Sequence, residues 1–142
     1  MARATRWALP LLALVSVGCG SASTMRVWGD VTFEGTPVEA GNIEFLPIEG
    51  TAGPNVGGVI RDGAYEIPAA QGPLAEGVYR VELRAYRETG RAPTNPKFPG
   101  KELPEREAIF PPEYSTHSTL RVKVSAKARE NRFDFHVRKT GK

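Results

Sequence analysis

Gly77-Val78-Tyr79-Arg80-Val81-Glu82-Leu83-Arg84-Ala85-Tyr86 alternates apolar and polar residues without a break. Successive side chains of an extended strand point to opposite faces, so a period of two marks a strand buried on one side. Tyr79, Val81, Leu83 and Ala85 are expected to face a core, and Arg80, Glu82, Arg84 and Tyr86 to face solvent. On this parity a carboxylate at Val81 is destabilising, whereas Arg80 and Arg84 tolerate replacement.

Working outward, the same period recurs. Val27, Gly29, Val31 and Phe33 share one face of a first run, with Trp28, Asp30, Thr32 and Glu34 on the other. Ile43 and Phe45 form a second run, Val56 to Arg61 a third and Tyr65 to Ile67 a fourth. Thr119 to Ser125 places Leu120, Val122 and Val124 against Arg121, Lys123 and Ser125, and Asn131 to Arg138 places Phe133, Phe135 and Val137 opposite Arg132, Asp134 and His136. Asp62-Gly63 is a two-residue hairpin signal, and Gly57-Gly58 reads as a bulge or bend. No window from residue 25 onward has a helical period, and 12 prolines oppose long helices. Seven short strands separated by turn signals predict an all-β domain, a seven-stranded two-sheet Greek-key sandwich.

The chain before that domain reads as an address. Arg3 and Arg6 make a basic start, Trp7 to Val17 an apolar run of signal-peptide length, and Gly18 to Thr24 a small, polar stretch. That run is too short to span a bilayer, which takes about 20 residues. Val15-Ser16-Val17-Gly18-Cys19 resembles a bacterial lipobox, although Ser16 stands where an aliphatic residue is usual. The resemblance implies that Cys19, the single cysteine, is acylated and becomes the mature N-terminus. Residues 1–19 are then a signal peptide, 20–24 a flexible tether, 25–139 the sandwich domain and 140–142 a tail. Ordinary secretion with a cut after Ala22 is the alternative.

The domain too resembles a known family. Gly29-Asp30-Val31-Thr32-Phe33-Glu34-Gly35-Thr36-Pro37-Val38, Asp62-Gly63-Ala64-Tyr65-Glu66-Ile67 and Gly77-Val78-Tyr79-Arg80-Val81 are similar, in order, to blocks of carboxypeptidase-regulatory-like (transthyretin-like) domains. The remainder is similar to short bacterial lipoproteins carrying one such domain. The resemblance implies a transthyretin-like sandwich and a non-enzymatic role.

Chemistry-bearing residues are sparse. Two of the 19 basic residues lie in the leader, which leaves the rest nearly neutral against 16 acids and without the basic stripe that nucleic acid requires. His136 lies on an outward face. His117 sits in Ser115-Thr116-His117-Ser118-Thr119, with no nucleophile elbow around either serine. Asp30, Asp62 and Asp134 stand singly, the Cys and His spacings of zinc sites are missing, and neither a metal nor a cofactor is expected. What remains is binding surface. Trp28 is an aromatic anchor on a polar face. The proline-rich connection 88–118 is expected to dock its second half across the domain through Phe110 and Tyr114, with a partner site where that half meets Trp28. The expected role is a lipid-anchored, non-catalytic module of the cell envelope. It would be bound to the membrane through its anchor and contact an envelope protein or glycan. A spacer domain without a ligand is the alternative, and a hydrolase using His117 a remote one.

Overall fold

The computed structural model describes residues 23–91, 97 and 104–139. Cys19 and the leader, the tail from residue 140 and most of the first half of the 88–118 connection lie outside them. The described chain is all-β: β1 (Val27–Phe33), β2 (Thr36–Pro37), β3 (Ala40–Ile48), β4 (Val56–Arg61), β5 (Ala64–Ile67), β6 (Val78–Arg84), β7 (Tyr86–Glu88), β8 (Arg106–Ala108), β9 (Arg121–Lys123) and β10 (Phe135–Val137), with three single 3-10 turns. All seven expected runs are strands.

They join into one sheet in the order β10-β1-β5-β4-β3-β6-β9, with β2 paired to β1. Every ladder is antiparallel except β1–β10, in which Val31 to Phe33 run parallel to Phe135 to Val137. The sheet curls into a half-barrel, so its hydrogen bonds do not draw two separate layers. The apolar faces all turn to the inside of the curl. Val27, Val31, Ile43, Phe45, Ile60, Ile67, Tyr79, Val81 and Leu83 are essentially inaccessible there. Each such side chain contributes roughly 1.5–3 kcal/mol by leaving water.

Asp62 (φ 48°) and Gly63 (φ 79°) turn β4 into β5 as the sequence predicts, two left-handed residues in succession that match the twist of a hairpin. The Gly57-Gly58 bulge is absent: Ile43↔Gly58 and Glu44↔Gly57 are consecutive pairs of a regular ladder. What Gly58 provides is room, because a Cβ there would stand 2.7 Å from the Ile67 side chain that packs over it.

Three further features depart from the sequence reading. Glu82 is buried, only 4% exposed, although it lies on the outward face. Arg80 and Arg84, two residues away on either side, hold its carboxylate at 3.0 and 2.6 Å. Replacing Arg84 would therefore leave a buried carboxylate short of a partner, and the tolerance expected there is corrected.

Ser23 and Thr24, read as part of a flexible tether, are fixed: Thr24 bridges Leu74, the Ala75 amide donates to the Ser23 carbonyl and the Met25 amide to that of Pro73, both at 2.8 Å.

Lastly, the 88–118 connection leaves β7 and returns as β8, the two forming a two-stranded ribbon whose residues are all exposed. Arg87 pairs with Glu107 at 2.8 Å across it. Only then does the chain dock. Phe110 is buried with its ring edge-on to Phe33 at 5.8 Å, and Tyr114 is partly buried against the core from the 3-10 turn Pro112–Tyr114.

Candidate binding groove at Trp28

β4 and β5 ladder for two residue pairs only, Arg61↔Ala64 and Ile60↔Tyr65. Beyond them β4 stays with β3 as far as Val56, while β5 stays with β1 as far as Ile67. Pro68, which lacks an amide proton, ends β5. An open groove of about 640 Å³ lies over this divergence, bounded by Trp28, Val59, Arg61, Glu66, Gln71 and Arg132. Gly57 and Ala64, small residues at outward positions, keep it open.

Trp28 is half-buried on β1, directly opposite Glu66 on β5. The Arg26 guanidinium lies 4.3 Å from the Trp28 ring centre, a cation–π contact, and its Nε donates to Glu66 Oε1 at 2.7 Å. That hydrogen bond holds the Glu66 carboxyl below its ordinary range and raises Arg26. One ring face is thereby occupied by a side chain of the same strand end rather than by the long connection.

On the far side of Trp28 the β1–β10 pairing breaks. The Phe133 amide donates to the Trp28 carbonyl at 2.8 Å. The next amide, that of Asp30, donates instead to Asp134 Oδ1 at 2.9 Å. Arg132 reaches Asp30 Oδ2 at 2.6 Å and Asp134 at 3.1 Å. The Asp134 carboxyl is held low, first by the Asp30 amide and then by Arg132. Asp30 and Asp134, read as single carboxylates, thus meet around a guanidinium. Among the described residues no three His, Cys, Asp or Glu side chains gather as metal ligands do.

Trp28 is the sequence candidate that lines this groove. Phe110 and Tyr114 do not reach it: Phe110 packs on Phe33, and residues 104–118 contribute nothing to the groove wall. Cys19 lies outside the described residues. His136 is exposed, its Nδ1 2.9 Å from Thr32 Oγ1. The Ser118 hydroxyl is buried and donates to the Val81 carbonyl, while Ser115 Oγ donates to the Pro111 carbonyl. Both serines tie the docked connection down.

The sequence reading missed Glu66, Arg61 and Arg132. Their outward parity was readable in the alternation. Their convergence on Trp28 was not, because it depends on which strands become neighbours.

No protein-family model matches the sequence, and none of the curated proteins or solved structures matches it either.

Proposed function

We propose that this chain is a lipid-anchored, non-catalytic binding module of a bacterial cell envelope, built on a carboxypeptidase-regulatory-like (transthyretin-like) sandwich. The ligand of this module occupies the Trp28 groove. The fold reading is supported by the spatial order β1-β5-β4-β3, in which three hairpin-connected strands lie beside an earlier one as in a Greek key. It is supported also by β1 itself, whose first half ladders with β5 and whose second half ladders with β10 and β2. A strand that changes partners in this way carries a chain from one layer of a sandwich to the other.

The single observation that carries the binding reading is the groove's composition. An aromatic ring stands beside planar hydrogen-bonding groups, namely Glu66, Asp30, Gln71 and Arg132, most of them already fixed by ion pairs. Pre-fixed side chains lose little entropy when a ligand arrives. Planar carboxylates, amides and guanidinia beside an indole suit a glycan, whose hydroxyls take bidentate hydrogen bonds and whose ring stacks on the aromatic.

Calorimetric titration with envelope polysaccharide fragments tests this. Saturable binding that Trp28→Ala abolishes, and Phe110→Leu does not, is expected. Absence of binding to any envelope fraction would favour the spacer reading. Conversion of Cys19→Ala from a membrane-bound to a soluble protein tests the anchor separately.

A further inference from the structure

With Cys19 as the anchor, the tether length and the strand directions constrain which end of this domain lies near the membrane. Ser23 is held by the Ala75 amide, so only residues 20–22 separate the fixed chain from Cys19. Four Cα–Cα steps span at most about 15 Å. If Cys19 is acylated, its sulfur sits at the bilayer surface and Ser23 can stand no farther from it than that. The domain is longer than this tether: the seven residues of β6 alone run roughly 20 Å. The end that holds Ser23 therefore lies within about 15 Å of the lipid.

The strand registers say what each end carries. Val78, Ile48 and Lys123 pair at the Ser23 end of the sheet, and Arg84 pairs with Asn42 at the other, where β6 runs on into β7. The loops at the Ser23 end differ in kind from the rest of the surface. From Gly50 to Asn55, and again from Pro68 to Ala75, these loops have no charged residue, although a quarter of the whole sequence is charged; Glu49, just before the first of them, is paired with Arg121. Ala52, Pro54, Ala69 and Ala70 are exposed there. Beside these neutral loops runs the β9–β10 connection. At its start Lys123, the last residue of β9, pairs with Glu76; within it Lys127 pairs with Glu130, while Arg129 has no ion-pair partner among the described residues. A neutral lip with a surplus guanidinium suits a headgroup layer containing anionic lipid, which attracts exposed basic side chains and penalises carboxylates.

We propose that the loops 50–55, 68–75 and 125–130 form a membrane-apposed face, and that the β7–β8 ribbon is held away from the bilayer at the opposite end. The ribbon, with Tyr86 exposed, is then the part of the domain offered to the aqueous side. This inference rests on the acylation of Cys19.

The test uses the full chain, purified from the membrane in which it matures and reconstituted into vesicles of phosphatidylethanolamine and phosphatidylglycerol. A fluorophore is placed on Ala70→Cys, on Ala52→Cys as a second position of the same face, or on Glu107→Cys in the ribbon. A quencher is carried on the lipid. Flotation with the vesicles, and quenching several-fold stronger at positions 52 and 70 than at 107, is the expected result. Flotation with equal quenching, or with the ribbon label quenched more, would overturn the orientation while leaving the anchor intact. Loss of flotation in the wild-type chain would overturn the anchor and this inference with it.

Discussion

The phenol of Tyr65 donates a 2.9 Å hydrogen bond to the carbonyl of Phe133, reaching from β5 beneath β1 to the segment that leads into β10. That carbonyl is available because Asp134 Oδ1, and not Phe133, accepts from the Asp30 amide. Tyr65 also stacks at a tilt against Phe45 and Phe135, both at 6.2 Å. One side chain thus fastens the C-terminal segment onto the curled sheet across an interrupted ladder.

Tyr65→Phe keeps the ring and removes the donor. It is expected to lower the unfolding free energy at pH 8 by about 1–3 kcal/mol, the cost of a buried acceptor left unpaired. Burial first, then Asp134 and Asp30, push the Tyr65 hydroxyl well above its ordinary pKa of 10.0. A proton held more tightly in the folded chain gives stability that is complete below about pH 10 and declines above it, because the unfolded chain ionises there and the folded one resists. Urea titrations from about pH 8 to 11.5 should show the wild type losing stability faster than Tyr65→Phe above pH 10. Parallel slopes for the two would count against Tyr65 as the group responsible.

Gly29 stands where nothing larger fits. A Cβ there would lie 2.0 Å from the Phe133 carbonyl oxygen and 2.6 Å from its carbon. Backbone cannot yield as a flexible side chain does, so Gly29→Ala should cost about 3 kcal/mol or more, or prevent folding. Gly57→Ala, with its nearest neighbour at 3.5 Å, should stay within about 0.5 kcal/mol of wild type. Thermal melts of the two variants side by side decide it.

Arg84 is the stronger partner of buried Glu82 and also approaches Glu44 Oε2 at 3.6 Å, where Glu44 and Glu82 face each other across the β3–β6 ladder. Arg84→Ser removes the cation between two carboxylates. The expected loss is about 1–3 kcal/mol. Arg61→Ser, exposed and without an ion-pair partner among the described residues, should be neutral. Equal melting temperatures for the two variants would show that Arg80 alone satisfies Glu82.

Phe110 docks the end of the long connection through its edge-on contact with Phe33. Phe110→Ala should cost about 3–5 kcal/mol as a buried aromatic. A double-mutant cycle with Phe33→Ala should return a coupling of about 0.5–1.5 kcal/mol. Zero coupling would place the docking energy in other contacts.

Sequence alone determined the strand inventory and its parity, since alternation is a local property: residues 79, 81, 83 and 85 had to share a face whatever lay beside them. It determined the Asp62-Gly63 turn for the same reason, because two successive left-handed residues are a demand on those two positions. Partnership was decided only by the tertiary structure. That β1 takes a parallel neighbour in β10, that Arg132 thereby lands on Asp30 beside Trp28, and that Glu82 disappears between two arginines all depend on contacts between residues far apart in the chain. The all-exposed ribbon β7–β8 was equally hidden, because a strand buried on neither face leaves no apolar alternation to read. Likewise the docking of Phe110 away from Trp28 was settled by where the ribbon returns the chain, a geometric outcome that the apolar pattern of residues 103–118 does not encode.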